Sequence, residues 1–552
     1  MLRHRSRWLY VGLGVALRAT LLGWGMYQDQ HMSLPYTDVD YTVYNDGARA
    51  LWSGCPLAQT VESPLYHDEE DLYNVPALAS QVHCARGLVP VVSRFVLKND
   101  PTLEEPVEQY FYDSESLWSQ MAVWCFKLTR PLFRFFASIG DPYSRDTYRY
   151  TPLLALLLSP AQAGEAVWPL FGKVLFALAD VACAILMWAI LDERAAMHAH
   201  EAPALAKAWT THLPGLLWLL NPFPAQIATR GSADSLVGVL VLAFVYLLIR
   251  ATPEVALIQE PQVAELPPPH DPSELRVAHP ACWWGAALCL ALAAHLKLYP
   301  VIYGASVLAH LSKYRFHALR LLCGIRKPQR HDVLWLGTEF AALCAILYLL
   351  LGGLVWLIWG NPYIHHALLY HVMRQDHRHN FSVYFLPTYL TWDWDTHMSW
   401  VRALAASPLV SFVPQMATVA IAGFTLGGYD LVLACMVQTV VFVAWNKVYT
   451  SQVRGAQLTQ YFLWYLWFLP VVGTTLSMSR TEVLTLMALW VGAQALWLGQ
   501  AYQLEFMAQN TFVHLWLSSL GLLFVHVFCV QRCLQGWRRW RRKQAVAKQK
   551  AE

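Results

Sequence analysis

The chain has 552 residues, of which 56% are apolar and 14% charged, against about 25% charge in a soluble domain. So little polar surface cannot cover a soluble globule of this length, and a net charge of +3 gives no pull toward polyanions. Soluble enzymes, disordered chains and nucleic-acid binders are excluded together. The 25 Trp, 26 Tyr and 23 Phe residues are the aromatics that collect at bilayer interfaces. No CxxC pair occurs among the 11 cysteines, which argues against a zinc ribbon and against a small disulfide scaffold. The composition is that of an all-α polytopic membrane protein.

Arg3, His4, Arg5 and Arg7 precede a first apolar run at residues 8–26. The run is long for a signal peptide, Arg18 interrupts it and no A-x-A site follows, so it reads as an uncleaved anchor. The basic residues ahead of it put the N-terminus in the cytosol. Further runs lie at 167–191, 212–227, 232–249, 282–309, 333–359, 408–426, 431–445, 461–476, 483–498 and 512–530. The 282–309 run exceeds one span and holds Lys297 and Pro300, so it reads as two short helices or one bent one. The total is roughly 11 or 12 transmembrane helices by the length rule. The basic stretch 313–330 and the tail 531–552, with Arg532, Arg538, Arg539, Arg541, Arg542 and Lys543, belong in the cytosol. Cytosolic termini require an even count, which favours 12.

The whole chain, 1–552, reads as one membrane domain. Residues 56–139 are richer in Asp, Glu, Ser and Pro, with an acidic cluster at Asp68, Glu69, Glu70 and Asp71, and read as a luminal insertion. It is expected to form a cap or a partner-docking surface, tied by a disulfide between two of Cys55, Cys84 and Cys125 in an oxidising lumen. Residues 252–280, with the Pro267–Pro269 run, read as a cytosolic linker.

Two carboxylates, Asp38 and Asp40, stand a dozen residues past the first span. A D-x-D near the membrane surface can supply a general base and an orienting group. An amphipathic stretch follows, with Tyr44, Ala48, Leu51 and Trp52 at helical spacing, suited to lie in the interface. On the same predicted side lies a basic cluster: His371, Arg374, His377, Arg378 and His379, with Asn380 beside it. Positive charge is unexpected there, and forked Arg donors suit phosphate. A zinc site built from His365, His366, His371, His377 and His379 is the rival reading, but no catalytic Glu accompanies an H-x-x-x-H. Ionisable residues also fall at or near membrane depth: Arg149 between Tyr148 and Tyr150, Arg230, Asp234, His295 and Lys297. Arg230 and Asp234 are spaced to pair with each other. Lys297 has no acid nearby in sequence, which makes it a candidate for a lipid phosphate.

These residues carry a resemblance. Tyr36-Thr37-Asp38-Val39-Asp40-Tyr41, Gly140-Asp141-Pro142-Tyr143 and Thr147-Tyr148-Arg149-Tyr150-Thr151-Pro152 resemble the catalytic subunits of the glycosylphosphatidylinositol (GPI) mannosyltransferase I family. So do Leu220-Asn221-Pro222, Thr229-Arg230-Gly231-Ser232-Ala233-Asp234, His295-Leu296-Lys297-Leu298-Tyr299-Pro300, Arg374 to Ser382, and Trp445-Asn446-Lys447-Val448-Tyr449. The match runs in order over nearly the whole chain. It departs in the long stretch between Cys55 and Gly140 and in a short insert at 453–460, neither of which removes a motif residue.

The resemblance implies a GT-C fold with luminal interfacial helices, in the endoplasmic-reticulum membrane, with a luminal active site. It implies transfer of the first mannose, α1,4-linked, from dolichyl phosphate mannose to glucosaminyl(acyl)phosphatidylinositol, with a small accessory subunit as partner. Inversion by one displacement then needs a single base, Asp38 or Asp40. Lys297, Arg374, His377, Arg378 and His379 would hold the donor phosphate, with Arg149, Tyr150, Asn380, Asn446 and Lys447 supporting the acceptor or the structure. A monophosphate donor requires no metal, and no cofactor is expected. A transporter accounts for the spans and charges but not for the paired carboxylates and the basic cluster on one side. A non-catalytic scaffold does not account for an intact D-x-D.

Overall fold

A polar backbone inside hydrocarbon has to pair internally, which makes helices of the apolar runs. The computed structural model describes residues 2–53, 55, 84–98, 128–162, 170–197, 210–252, 279–321, 325, 327–374, 376, 380–392, 400, 407, 409–449 and 460–551. Its helices of seven or more residues with printed bounds are α1 (Leu2–His31), α2 (Val39–Ser53), α3 (Leu88–Lys98), α4 (Pro152–Leu158) and α5 (Phe171–Met197). There follow α6 (Pro222–Thr229), α7 (Asp234–Ala251), α8 (Pro280–Leu296), α9 (Gly304–Leu321), α10 (Arg330–Trp359) and α11 (Phe385–Thr391). The last are α12 (Leu409–Leu426), α13 (Leu431–Ala444), α14 (Gln460–Leu466), α15 (Arg480–Glu505) and α16 (Phe512–Ala551). Among the described residues the fold is all-α.

Seven helices are long and apolar enough to cross a membrane among those residues: α1, α5, α7, α10, α12, α15 and α16. The remaining four apolar runs of the sequence are short or broken, each for a local reason. Run 212–227 stops at a π-helical turn, Gly215–Leu219, and restarts as α6, where the Asn221 side chain accepts from the Phe223 amide at 3.0 Å and Pro222 opens the helix. Run 282–309 is two helices, α8 and α9, joined by a 3₁₀ turn at Tyr299–Tyr303 that contains Pro300. Run 431–445 forms the 14-residue α13. Run 461–476 divides into α14, Leu469–Val472 and a 3₁₀ turn at Gly473–Thr475. Broken helices at membrane depth survive only where protein surrounds them, and the buried Trp218, Tyr303, Trp467 and Val472 lie in these segments.

The chain forms two units: Met1–Val39, Lys173–Tyr348 and Val372–Glu552 make the first, Asp40–Gly172 and Leu349–His371 the second. In the first, the Arg18 that interrupts the opening run is buried against Asp180 of α5, with Nε 2.8 Å from the carboxylate. Its other donors reach the Gly14 and Leu219 carbonyls at 2.8 and 2.9 Å. A charge placed in a span is tolerated because each of these donors has a partner. The predicted tail at 531–552 continues α16 as far as Ala551.

The second unit is built on α2, whose Tyr44, Ala48 and Leu51 are buried while Trp52 stays exposed. Of the three candidate cysteines, Cys55 and Cys84 form the disulfide; residue 125 lies outside the described residues. So do the acidic cluster 68–71, most of the insertion, and 253–278 of the linker. The two ends of the insertion meet at one point. The Cys55 amide donates to the Ser138 carbonyl at 2.9 Å, Ala85 to Ile139 at 3.1 Å and Gly140 to Leu51 at 3.3 Å. The Trp359 indole donates to the Gly140 carbonyl at 3.1 Å. Gly140 has no room for a side chain, since a Cβ there would sit 1.9 Å from the Ala50 carbonyl oxygen. Gly140→Ala therefore has to push backbone apart. A loss of about 1–3 kcal/mol, the usual cost of overpacking, should lower the melting temperature of the detergent-solubilised protein.

Candidate active site

Of the D-x-D, Asp38 belongs to the first unit and Asp40 to the second. Both side chains are buried. The turn that delivers Asp38 is held by Asp29, near the end of α1. One Asp29 oxygen accepts the Tyr36 and Thr37 amides at 2.6 and 2.9 Å, and the other takes the Thr37 hydroxyl. Lys173, at the start of α5, pairs with Asp29 at 3.3 Å and also donates to Thr37. The Thr229 hydroxyl donates to the Ala225 carbonyl, so the Tyr36 hydroxyl, 2.8 Å away, donates to Thr229. Finally the Asp38 amide donates to the Arg230 carbonyl at 2.9 Å. Asp38 is thus located by backbone and side-chain bonds on both sides of it.

Asp40 is held within the second unit. The Tyr150 hydroxyl donates to its carboxylate at 3.0 Å. Tyr150 is fixed in turn by an edge contact with Tyr44, at 4.7 Å between rings, and by the Tyr143 hydroxyl on its carbonyl at 3.1 Å. Arg149 points elsewhere: its guanidinium contacts Nδ1 of His366 and lies 4.5 Å from the Tyr370 ring centre, while its carbonyl is bonded by His371 at 3.0 Å. Burial, followed by the Arg149 charge, pushes the His366 pKa down, so this ring is neutral near pH 7. Burial also raises Asp141, which caps the turn at Pro142–Ser144, to about 6. No three potential metal-binding side chains gather among the described residues.

Of the basic cluster, His377, Arg378 and His379 lie outside the described residues. Arg374 pairs with Asp376 at 3.2 Å. Asn380 is buried and structural: its amide donates to the Lys447 carbonyl at 2.9 Å, and its oxygen accepts the Ser382 and Tyr449 amides, both at 3.0 Å. This clamp sets Lys447, whose ammonium bonds the Val372 carbonyl. Burial and, second, the positive Arg374 lower the Lys447 pKa to about 8. The Arg374 charge thus lies near enough to Lys447 to disfavour a second positive charge there. Asn446 is half-buried and its amide closes a turn onto Val443 at 3.0 Å.

Lys297 departs from the sequence expectation. It has an acid after all: Asp234, fully buried, pairs with it and also accepts from the Trp464 indole at 2.9 Å and the Ser232 hydroxyl at 2.9 Å. Tyr299 stacks on Trp464 at 4.0 Å. The local spacing suggested Arg230 as the partner of Asp234, but the fold brings in a lysine from another helix end. Asp29 and Lys173 were missed. An Asp in the last turn of a span and a Lys in the first turn of another were the available signals, and neither names its partner.

Residues 227–534 match the protein family described as mannosyltransferase (PIG-M). The chain belongs to this family. Over 96% of its length and 97% of the relative's, it is 30% identical to a Danio rerio protein named GPI alpha-1,4-mannosyltransferase I, catalytic subunit. It is 30% identical to Aspergillus oryzae GPI mannosyltransferase 1, covering 94% of each chain. It is 27% identical to the Dictyostelium discoideum protein of that name over 95% of this chain and 90% of the other. The enzyme is therefore a membrane mannosyltransferase of GPI-anchor assembly with a GT-C architecture, and the full-length relatives extend the match across the D-x-D. The Tyr150 hydroxyl is bonded to the Asp40 carboxylate. Tyr150→Phe removes one hydrogen bond to a charged acceptor, a loss of about 1.5–3 kcal/mol, and should lower mannose transfer roughly 10- to 100-fold in a membrane assay while the protein still inserts.

Proposed function

We propose that this mannosyltransferase transfers the first mannose of the GPI glycan from dolichyl phosphate mannose, in α1,4 linkage, to glucosaminyl(acyl)phosphatidylinositol. The observation that carries the reading is the pair of buried, separately braced carboxylates, Asp38 and Asp40, in a chain aligned end to end with relatives of that name. The donor is a β-linked monophosphate and the product is α, so a single in-line displacement suffices. The acceptor 4-hydroxyl attacks the mannosyl C1 as Asp38 takes its proton. The bond from C1 to the phosphate oxygen breaks, and dolichyl phosphate leaves. Asp40, oriented by Tyr150, shares or steers the proton transfer.

Arg374 and Lys447, with His377, Arg378 and His379, neutralise charge developing on the leaving phosphate, the type of stabilisation that dominates many active sites. Lys297, already paired with Asp234, serves packing in this reading. The single phosphate needs no metal to bridge it. The site faces the lumen of the endoplasmic reticulum, with both termini cytosolic and a small accessory subunit bound. The Cys55–Cys84 disulfide, fifteen residues past Asp40 at its first cysteine, supports the luminal side because that compartment is oxidising.

Asp38→Asn keeps the shape of the side chain and removes its basicity. Turnover should fall by roughly 10²- to 10⁴-fold in the purified, folded enzyme, and near-normal transfer would remove Asp38 from the mechanism. The pH dependence follows from Lys447. Its ammonium is present below its pKa of about 8 and is lost above it, so the KM for the donor should climb as pH passes 8. Lys447→Arg, which stays charged throughout this range, should flatten that climb.

A further inference from the structure

Within the first unit, α9 packs closely against the end of α12. A Cβ on Gly427, directly after α12, would lie 2.4 Å from the Ser306 carbonyl oxygen, so no side chain fits there. The two helices run the same way at this contact, since Ala305 meets Gly423 and the Lys313 stem meets Gly428. On α10, Gly337 meets the Leu308 side chain. Beside these contacts the three helices leave a cavity of about 460 Å³, inside the roughly 300–1,000 Å³ range of small-ligand sites. Every residue lining it is among the described residues.

The lining changes character along α9. Leu308, with Leu334 of α10 and Phe424 of α12, supplies apolar wall; one turn later come Ser312 and Lys313, with Tyr429 beyond the end of α12. The polar end carries two cations. The Lys313 ammonium lies 4.8 Å from the Tyr429 ring centre, and the Arg541 guanidinium of α16 lies 5.5 Å from the same ring. Tyr429 is 61% exposed and Arg541 is exposed. An ammonium has three donors and a guanidinium five, so a contact with the ring leaves donors for a phosphate. Asp430, the acid next to Tyr429 in sequence, is engaged by Arg194 at 2.7 Å and by the Val432 and Leu433 amides at 3.1 and 3.2 Å.

The depth of the cavity follows from the spans that line it. α10 and α12 are both span candidates. Leu334 is in the second turn of α10, and Phe424 is in the last turn of α12. The ends of spans lie where hydrocarbon gives way to headgroups, so the apolar wall faces acyl chains and the Lys313–Tyr429 rim lies at phosphate level.

We propose that this cavity binds one anionic glycerophospholipid, with an acyl chain against Leu308, Leu334 and Phe424 and its phosphate held by Lys313 and Arg541. Basic pockets between helix ends suit such headgroups. A zwitterionic lipid brings its own ammonium to the same rim, so a net negative headgroup is preferred. The bound lipid would tie the basic end of α16 to the ends of α9 and α12. In the orientation proposed above this is the cytosolic leaflet, whose lipids include anionic ones. Only that leaflet assignment rests on the proposed orientation, and the site is independent of the transfer reaction.

The test uses the full-length enzyme with p-benzoylphenylalanine in place of Phe424, in phosphatidylcholine vesicles containing phosphatidylserine. One lipid or the other carries a radiolabelled acyl chain, and labelling of the enzyme after irradiation is compared per mole of each lipid. Phosphatidylserine should label in preference to phosphatidylcholine. Lys313→Gln and Arg541→Gln should each lower that preference by about five-fold, and Lys313→Arg should keep it. Ala309→Phe fills the cavity from its α9 wall with both charges intact, and should abolish the preference. Equal labelling by the two lipids in the unsubstituted background would overturn the proposal. A preference that survives Ala309→Phe would also overturn it, assigning the effect to diffuse attraction by the exposed Arg538 and Arg542. Crosslinking of the probe to a protein in place of lipid, on adding an accessory subunit, would assign the cavity to that subunit and overturn it equally.

Discussion

A polar group inside a bilayer has to find its partner within the protein, and the architecture of this enzyme follows from that constraint. Several described charges in or beside the spans are answered. Arg18 meets Asp180 and two carbonyls, Lys173 meets Asp29, and Lys297 meets Asp234 under Trp464. These pairs are weak evidence for stability, since desolvation offsets much of the attraction. Their consequence is registration: a helix that slid by one turn would leave a bare charge in hydrocarbon. Rigid placement of α1, α5 and α7 is what makes a small turn such as 36–38 a reliable platform.

The same constraint explains why the candidate site residues gather at helix breaks. A continuous helix consumes its own amides and carbonyls, whereas the ends of α1 and α6 leave backbone groups free to be used. The Arg230 carbonyl holds Asp38, and Asp29 gathers the amides of residues 36 and 37. Farther along, Asn380 ties the backbone of 447–449 to 380–382, so that Lys447 is set by a rigid clamp rather than by its own flexible stem. Asp38 and Lys447 are thus carried by irregular segments and located by bonds from distant parts of the chain.

The stretch between Cys55 and Gly140 leaves and returns at a single place. The disulfide, the Gly140 contact with Ala50 and the Trp359 bond close the loop at its root. Closing a longer loop adds little entropic cost once its ends are fixed. α2, which carries Asp40, has Tyr44 against Tyr150 and Tyr150 on Asp40.

Much of this was legible in the sequence because it is local. Apolar runs announce helices, Asn221-Pro222 announces a restart, and an amphipathic stretch after the D-x-D announces α2, since helical spacing needs only a few consecutive residues. The motif at 147–152 singled out Tyr150 without saying what it bonds. Only the tertiary structure decided the pairings. Asp40 and Tyr150 are 110 residues apart, Arg18 and Asp180 are 162 apart, and Lys297 and Asp234 are 63 apart. Spacing along one helix made Arg230 the obvious partner of Asp234, and packing between helices overruled it. Which runs cross fully and which break depended likewise on neighbours that bury exposed backbone. A sequence determines which groups must be satisfied, and the packing of distant helices determines by whom.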